Sequence, residues 1–390
     1  MSTRRPCLFF VIGTRPEVIK LAPVIHECLR RPQYEVVICC TGQHQRLLSP
    51  LLSFFNLSVT EFLELPSNQD CLTQRCSDLL QALNKPLQEY QPDLVIVQGD
   101  TISAFTGALA ASYHQLPVAH IEAGYRSFST RSPFPEESHR RLIAPLADLH
   151  FAPSETEAVH LRAEGIQSGV HVVGNTVIDA LHYTQSSLDQ GHSDRLSEKG
   201  VSETDPIILV TTHRREHYGQ AFQNIAQALT QIAQSHPQVQ VVFPVHPNPA
   251  VHALMTQSLA DLPSILLLEP LDYPDMLALM GRSHLILTDS GGIQEEAAYL
   301  KKPVLILRSH TERHALIDLG LAKLIGTDPD HICHHVTQLL NDDSLYTQMT
   351  QAATPYGNGT SAQQILAHID DTFGASTSSK METTNQSRLC

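Results

Sequence analysis

The chain has 390 residues, of which 42% are hydrophobic and 17% charged, and its formal net charge is -14. That length is enough for two domains of ordinary size. The negative charge disfavours nucleic acid and anionic membranes as partners, so an anionic small molecule would need local basic residues. No apolar run approaches the roughly 20 residues of a membrane span. We therefore expect a globular chain of two domains with neither nucleic acid nor membrane as partner.

The N-terminus combines a basic start with the apolar run Cys7–Ile12, which raises the possibility of a signal peptide. The run is too short, and Gly13-Thr14-Arg15-Pro16 is not a small-residue cleavage site, so we interpret it as a first buried strand. The eight cysteines include no C-x-x-C pair, which predicts reduced thiols in a cytoplasmic protein. Three histidine pairs have H-x-x-x-H spacing, but none is H-E-x-x-H, and no metal site is predicted.

Short apolar runs alternate with loops and amphipathic helical stretches along the whole chain. The first series of predicted strands is Cys7–Ile12, Val36–Cys40, Leu94–Val97, Val118–Ile121, Leu149–Phe151 and Val170–Val173. The second series is Ile207–Val210, Val241–Val245, Ile265–Leu268, Leu285–Leu287 and Val304–Leu307. Most runs are continuously apolar, as in strands buried on both faces. This alternation predicts an α/β protein with two doubly wound parallel-sheet, Rossmann-like domains.

The domain boundary is predicted near residue 180, with an N-terminal domain at residues 1–180 and a C-terminal domain at residues 181–365. Gln185–Asp205 is polar and nearly free of large apolar side chains, so it is predicted to be a linker or an exposed helix. The polar, Ser/Thr-rich end of the chain is predicted to be a disordered tail at residues 379–390.

Polar or glycine-bearing loops follow nearly every predicted strand. Because ligands of open parallel sheets bind beyond the carboxyl ends of the strands, two such sheets facing each other across a cleft would bring these loops together. The clearest case is LILTDSGGIQEEAA, where a buried strand leads through Ser290, Gly291 and Gly292 to a helix from about Ile293. A hydroxyl and two glycines at a helix N-terminus favour a bound phosphate. A tight turn whose acidic residues complement the helix dipole is the alternative.

Basic side chains suited to a diphosphate follow two other predicted strands. Arg15 stands before Pro16 at a predicted helix start, and Lys20 lies about one turn further on. The motif HRRE, which begins at His213, combines cations with a titratable ring and suits an anion site or acid–base chemistry. Ordinary surface positions are the alternative for both groups.

Acidic residues at strand ends and at a helix start are candidate acid–base groups. Asp100 directly follows a buried strand, where it is either a helix N-cap or a functional group. Glu122 follows the apolar VAHI and precedes Ala-Gly, which predicts a partly desolvated carboxylate able to act as base or acid. A satisfied carboxylate at a strand end is the alternative. Glu136 and Glu137 follow a proline-rich loop and lead into a basic helix, where helix-start chemistry would also explain them.

A series of short motifs occurs in order between Gly13 and Gly359. They are GTRPEVIKLAPVI, TGQH, QGDT, HIEAGYRS, PFPEE, GNTVIDAL, HRRE, PVHPNP, LTDSGGIQEEA and YGNG. Each is weakly specific alone, but the ordered set closely resembles the non-hydrolysing UDP-N-acetylglucosamine 2-epimerases. The resemblance implies the GT-B architecture, in which the last helix, here residues 366–378, crosses back to the N-terminal domain. It also implies a homodimer.

The resemblance implies an isomerase that interconverts UDP-GlcNAc and UDP-ManNAc at C2, supplying ManNAc-derived sugars for surface polysaccharide without an external cofactor. Enzymes of this family eliminate UDP to give 2-acetamidoglucal, and then add UDP back with a proton delivered to the opposite face. Removing a proton on one face and returning one on the other calls for two acid–base groups. The diphosphate must leave and yet stay bound, which calls for strong anion contacts.

The residue roles implied by the resemblance fall on both predicted domains. The acid–base carboxylates are Asp100, Glu122 and Glu136; His213 meets the diphosphate; and the N-terminal basic pair is Arg15 and Lys20. The residues implied to bind UDP are Ser290, Gly291 and Gly292 on the diphosphate, Glu296 on the ribose, Arg313 after the next strand, and Leu271–Met276 against the uracil. Met276 stands where an aromatic is common, which favours backbone contacts to the base over stacking.

The chain departs from the family pattern after Arg313, where His314-Ala315 replace the usual Pro-Glu. A further set, Gln43, Arg214 and His246, is compatible with a second substrate molecule that acts as an activator. Three other functions remain open: a hydrolysing relative that releases free ManNAc and UDP, a GT-B glycosyltransferase acting on a UDP-sugar, and a non-catalytic nucleotide-sugar sensor. The carboxylates Asp100, Glu122 and Glu136 argue against the last two.

Overall fold

The computed structural model describes residues 4–42, 45–65, 71–188, 190–212, 219–246 and 248–386 of the chain. The chain divides into two compact units. Unit 1 consists of Met1–Ala180 together with Tyr356–Cys390, and unit 2 is the continuous stretch Leu181–Pro355. Unit 1 is therefore assembled from two separate parts of the sequence.

Each unit contains one parallel sheet. The strands of unit 1 are β1 (Cys7–Ile12), β2 (Glu35–Cys40), β3 (Glu61–Phe62), β4 (Leu94–Gln98), β5 (Val118–Ile121), β6 (Leu149–Ala152) and β7 (Val170–Val172). The strands of unit 2 are β8 (Ile207–Thr211), β9 (Gln240–Pro244), β10 (Ile265–Leu268), β11 (Leu285–Thr288), β12 (Val304–Ile306) and β13 (Ala322–Leu324). Within the described residues, the orders are β3-β2-β1-β4-β5-β6-β7 and β10-β9-β8-β11-β12-β13. This architecture confirms the predicted doubly wound α/β class of the GT-B type.

Helices connect the strands in both units. The first six are α1 (Arg15–Leu29), α2 (Gln45–Phe54), α3 (Leu72–Tyr90), α4 (Ile102–Tyr113), α5 (Glu136–Ile143) and α6 (Glu155–Ala163). The next six are α7 (Thr176–Ser187), α8 (Gln190–Glu198), α9 (Gln220–Ser235), α10 (Pro249–Leu259), α11 (Tyr273–Arg282) and α12 (Gly291–Tyr299). The last four are α13 (His314–Asp318), α14 (Pro329–Asn341), α15 (Asp343–Gln351) and α16 (Ser361–Gln386).

All the predicted strands are present within one or two residues of their predicted bounds. The two strands that sequence patterns did not predict, β3 and β13, are short and lie at sheet edges. Their sequences, EF and AKL, are too short and too polar to show the apolar run of a buried strand. The order of strands reverses between β1 and β4 in unit 1 and between β8 and β11 in unit 2, and such reversals are where doubly wound sheets bind ligands.

The polar stretch Gln185–Asp205 is not a simple linker. Most of it forms the end of α7 and all of α8, and α8 packs against α11. Leu196 and Val201 are buried, and Arg195 Nη2 donates to Asp275 Oδ1 at 2.8 Å. Because Leu188, Leu196 and Val201 are its only large apolar side chains, the sequence of this segment predicts an exposed linker or helix.

The last helix, α16, packs against α1 of unit 1. Arg31 and Tyr34 both donate to the carboxylate of Asp370, and the Tyr34 and Phe373 rings lie 6.0 Å apart. The helix extends beyond the predicted residues 366–378 at both ends. It starts earlier because the Asp179 carboxylate accepts hydrogen bonds from the backbone amides of Ser361 and Ala362. None of the helices within the described residues is both long and apolar enough to cross a membrane.

Buried histidines make the stability of unit 1 sensitive to acid. His120, in β5, is 1% exposed, and burial lowers its pKa to about 3, although its Nε2 lies 2.7 Å from the carbonyl oxygen of Gly99. Since the unfolded chain takes up this proton near pH 6.5 and the folded chain only near pH 3, stability is lost as pH falls through that window. Its neighbour in the sheet, His150, has a pKa that burial also lowers.

We expect His120→Gln to reduce the dependence of the free energy of unfolding on pH. The amide of Gln can still donate to the Gly99 carbonyl but does not titrate. Between pH 6.5 and 5, the wild-type chain should lose roughly 2 kcal/mol more of its free energy of unfolding in urea than the variant, at about 1.4 kcal/mol per pH unit. His331→Gln, at an exposed position of α14, is the control and should leave the slope unchanged. Equal slopes for wild type and His120→Gln would contradict the expectation.

Candidate active site

The carboxyl ends of β1, β4 and β5 form one edge of the sheet in unit 1. These three strands are neighbours, and the loops that follow them begin at Gly13, Gly99 and Glu122. Parallel strands place such loops side by side. The edge therefore collects side chains that lie far apart in sequence, including Asp100 and Glu122, which sequence patterns indicated as acid–base groups.

Glu122 is a buried carboxylate held between two donors. Lys20 Nζ lies 2.6 Å from Glu122 Oε1, and the amide of Gln98 donates to Oε2. The Lys20 and Glu122 side chains are each only 6% exposed. Glu122 also has a φ of +65°, a left-handed conformation that costs free energy for a residue other than glycine. Contacts on both oxygens and a strained backbone fix this carboxylate in one orientation.

The contact between Lys20 and Glu122 was not predicted. Sequence patterns indicated that Lys20 and Arg15 could contact a diphosphate. In the structure both lie on α1, Arg15 as its first residue and half-buried, and Lys20 with its ammonium against Glu122. A cation beside the carboxylate favours its charged form and sets the direction of its lone pairs. Lys20 is thus placed to orient the Glu122 carboxylate as well as to carry positive charge at this edge.

Asp100 lies at the end of β4 and is anchored by α5. Its carboxylate is 26% exposed and forms an ion pair with Arg140, whose side chain is 4% exposed. The Asp100 carbonyl lies 3.0 Å from His139 Nδ1, and burial lowers the pKa of His139. Asp100 does not cap the following helix, since the side chain of Thr101 does so. The alternative of an N-cap therefore does not explain Asp100.

The two carboxylates of the Pro-Phe-Pro-Glu-Glu motif have different environments. Glu137 is fully buried and accepts hydrogen bonds from the backbone of Ser127 at 2.9 Å and from Arg141 Nε at 3.0 Å. Glu136, the first residue of α5, is half-buried, and its side chain makes no hydrogen bond or ion pair with any residue that the structure describes. Hydrogen bonds and ion pairs account for the burial of Glu137, and Glu136 is the more accessible of the two carboxylates.

Glu17 is a carboxylate at this edge that the sequence reading missed. It is fully buried, and it accepts hydrogen bonds from the backbone of Gly13 at 2.7 Å and Thr14 at 2.6 Å and from Thr101 Oγ1 at 2.5 Å. Burial raises its pKa to about 7, against the opposing effect of these hydrogen bonds. The available signal was its position three residues after Thr14, the spacing of a capping box.

In unit 2, the residues of the predicted phosphate site lie at the N-terminus of α12. Ser290 is the N-cap, and Gly291 and Gly292 are the first helical residues, so the helix begins two residues before the predicted Ile293. The first N–H groups of a helix have no partner within it, which makes the amides at this end suitable for an anion. Thr288 Oγ1 accepts from the Ser290 amide at 3.0 Å and is bonded to Thr211 at 2.6 Å, which holds the turn against β8.

Arg313 lies against this helix start. A Cβ atom at Gly291 would come within 2.5 Å of the Arg313 guanidinium, so only glycine leaves room for it. The guanidinium pairs with Glu295 Oε1 at 3.0 Å and also with Glu312, which in turn binds Arg308 at 3.1 Å. All four side chains of this network are at most 8% exposed. A cation is thereby fixed beside the positive end of a helix, an arrangement suited to a phosphate.

The segment that carries Arg313 is tied to α12, although His314-Ala315 follow it. Thr311 Oγ1 donates to Gln294 Oε1 at 3.1 Å and accepts from the Arg313 amide at 3.1 Å, which ties the segment to α12. His314 and Ala315 are the first residues of the short helix α13. This departure from the family pattern therefore leaves Arg313 at the helix start.

Glu296, the predicted ribose ligand, is 5% exposed and accepts a hydrogen bond from Tyr273 Oη at 2.6 Å. Burial, together with the Glu296 charge, raises the pKa of Tyr273 well above its usual value. Tyr273 is the first residue of α11, so Leu271–Met276 is only in part a loop. Asp272 caps the helix and Pro274 favours its first turn, which explains the early start. Leu271 is buried and Met276 is half-buried on that first turn.

Three predicted residues, Gln43, His213 and Arg214, lie outside the described residues. His246 lies just beyond the carboxyl end of β9, and its Nδ1 accepts from the Asn248 amide at 3.2 Å. Within the part of the chain that the structure describes, no three His, Cys, Asp or Glu side chains are grouped so as to hold a metal ion. The two doubly wound parallel sheets, with polar loops where the strand order reverses, define an α/β protein of the GT-B type.

Comparison with known proteins identifies the family. The chain matches the family model described as UDP-N-acetylglucosamine 2-epimerase over residues 26–370. It is 42% identical over 361 residues to the UDP-N-acetylglucosamine 2-epimerase of Yersinia pestis, a match that covers 91% of this chain and 96% of that protein. The chain therefore belongs to the UDP-N-acetylglucosamine 2-epimerase family, as its motifs indicated.

Solved structures support the same assignment. The UDP-GlcNAc 2-epimerase of Neisseria meningitidis, bound to UDP-GlcNAc, superposes with a TM-score of 0.90 at 37% identity, over 94% of this chain and all of that one. The co-structure of S. aureus MnaA with UDP has a TM-score of 0.87 at 38% identity, over 95% of this chain and 97% of that one.

Proposed function

We propose that the protein is a non-hydrolysing epimerase that interconverts UDP-GlcNAc and UDP-ManNAc at C2. UDP is eliminated to give 2-acetamidoglucal and then added back, and no external cofactor takes part. The product supplies ManNAc-derived sugars for surface polysaccharide. Family membership and the relative solved with bound UDP-GlcNAc support the substrate class. The observation that carries the reaction type is the buried Glu122 carboxylate, held by Lys20 and Gln98 on the same sheet edge as Asp100.

In this proposal unit 1 supplies the proton transfers. Asp100, Glu122 and Glu136 are the acid–base groups, since inversion at C2 removes a proton from one face and returns one to the other. Glu122 is oriented by Lys20, and Asp100 by Arg140. Glu136, which has no side-chain partner among the described residues, is free to adjust to the sugar. A glycosyltransferase would not need three carboxylates of this kind.

Unit 2 holds the leaving group in this proposal. The diphosphate binds the amides of Ser290, Gly291 and Gly292 and the guanidinium of Arg313, with His213 and Arg15 as further contacts. Glu296 binds the ribose hydroxyls, and Leu271 and Met276 lie against the uracil. A site that keeps UDP bound after the bond breaks allows it to be added back to the glucal. Gln43, Arg214 and His246 are proposed to bind a second substrate molecule that acts as an activator.

One experiment tests the reaction. The protein is incubated with UDP-GlcNAc in D2O, and the sugar is followed by NMR. We expect UDP-ManNAc to appear and deuterium to enter C2 of both sugars, because the abstracted proton exchanges with solvent. Accumulation of UDP and free ManNAc would show a hydrolysing enzyme instead. An unchanged C2 proton would exclude both reactions, and a parallel incubation with UDP-GalNAc tests whether another sugar is preferred.

A further inference from the structure

Glu17 joins two loops that carry proposed catalytic and binding residues. Its Oε2 accepts from the amides of Gly13 and Thr14, in the loop after β1, and its Oε1 accepts from Thr101 Oγ1, in the loop after β4. The first two bonds are local and belong to a capping box at the start of α1. The third spans 84 residues of sequence and is not needed to cap a helix.

Thr101 directly follows Asp100 and uses its hydroxyl in two ways. Its Oγ1 accepts a hydrogen bond from the Ala104 amide at 3.1 Å, which caps α4. The same hydroxyl donates a hydrogen bond to Glu17 Oε1. Asp100 itself is held on its other side by Arg140 and His139 of α5. The position of the Asp100 backbone is therefore set by α5 from one direction and by Glu17, through Thr101, from the other.

The surroundings of Glu17 are closely packed. A Cβ atom at Gly13 would overlap the side chains of Ser103 and Thr41, which bond to each other at 2.8 Å. A buried carboxylate is costly unless donors satisfy it, and three donors converge on Glu17 within 2.7 Å. Close packing and full burial make the link between the two loops rigid, since neither loop can move without leaving a buried donor or acceptor unpaired.

We propose that the hydrogen bond from Thr101 to Glu17 holds Asp100 in register for proton transfer, so that Glu17 and Thr101 are positioning residues for the epimerisation. The inference rests on the proposed function of Asp100. Loss of the bond lets the Asp100 turn shift, and a displacement of about 1 Å at an acid–base group lowers the rate by up to roughly 100-fold. Binding of UDP, for which the proposal places most contacts in unit 2, stays within about threefold of wild type.

Thr101→Val and Thr101→Ser test the link. Valine has the shape of threonine without the hydroxyl, whereas serine keeps both the donor and the acceptor. We expect Thr101→Val to lower kcat roughly 10- to 100-fold with the Kd for UDP within about threefold of wild type, and Thr101→Ser to retain kcat within about threefold. Both are read out as UDP-ManNAc formation and C2 deuteration in D2O, with UDP binding by calorimetry. If Thr101→Val does not fold, Thr101→Ala takes its place.

Ser154→Ala is the matched control. Ser154 caps α6 by accepting from the Thr156 amide at 3.2 Å and also donates to the buried Glu157, but its loop carries none of the proposed acid–base residues. We expect it to lower thermal stability about as much as Thr101→Val does while kcat stays within about threefold of wild type. The inference is overturned if Thr101→Val keeps wild-type kcat, or if Ser154→Ala lowers kcat equally. An inactive wild-type protein would instead refute the proposed function.

Discussion

Glu122→Gln is expected to slow exchange of the C2 proton strongly while leaving UDP bound. Removal of a positioned acid–base group typically lowers the rate 10²- to 10⁴-fold, and the same loss is expected here for deuterium incorporation in D2O. The fold should survive, because the new amide can still accept from Lys20 through its oxygen, and Gln98 can turn its own amide to accept from the new nitrogen. NMR of the sugar and calorimetry with UDP measure the two quantities.

Glu155→Gln is the control for Glu122→Gln. Glu155 lies on α6 with its side chain 65% exposed and pairs with Arg162 at the surface. It should keep both exchange and UDP affinity, since an exposed ion pair contributes little to stability. Exchange at the wild-type rate in Glu122→Gln would remove Glu122 from the acid–base groups. A loss of UDP affinity that accompanies the loss of exchange would show that the variant is misfolded or that Glu122 acts in binding.

Gly291→Ala is expected to weaken UDP binding roughly 10- to 100-fold. The added methyl group would lie 2.5 Å from the Arg313 guanidinium, which must move and so leave its ion pair with Glu295. A displaced guanidinium loses a charge-assisted hydrogen bond to the diphosphate, worth about 1.5–3 kcal/mol. Alanine favours a helix over glycine by up to about 1 kcal/mol, so stability alone would not reveal the defect. Calorimetric titration with UDP does.

Gly281→Ala tests whether the effect belongs to position 291. Gly281 lies on α11 in the same unit, and a Cβ there meets no described atom within 4 Å. The same change of residue should leave the Kd for UDP within about threefold of wild type. Unaltered UDP affinity in Gly291→Ala would mean either that the Arg313 guanidinium moves without loss of binding free energy or that it does not bind the diphosphate. Either result would remove Arg313 from the proposed site.

The strands, the fold class and the glycine-containing helix start in unit 2 were predictable because each depends on local sequence. A buried parallel strand is a continuous apolar run, and Ser290-Gly291-Gly292 follows such a run directly. The edge strands β3 and β13 carry no such signal. The start of α12 was predicted two residues late, because glycine is unfavourable inside a helix and its cost there is offset by room for Arg313.

The pairings within the candidate site could not be read from the sequence. Lys20 and Glu122 are separated by 102 residues and meet because β1, β4 and β5 are neighbours in the sheet. Tyr273 and Glu296 are 23 residues apart and meet because α11 and α12 bring them together. Motifs indicated which residue types lie at the strand ends, but the partner of each depends on strand order and helix packing. For the same reason, Glu17 was read as part of a motif and not as a link between loops.

The division of unit 1 into two stretches affects the order in which the chain folds during synthesis. Unit 2 is continuous, so all of it has been synthesised before Tyr356 is added. Unit 1 waits for its second stretch, whose Tyr356, Ile365 and Ile369 are fully buried in the finished protein. Domains fold as units as they emerge. The half of the molecule that is translated first, and that carries the proposed acid–base groups, is thus the half that is completed last, once the C-terminal helix is available to cover it.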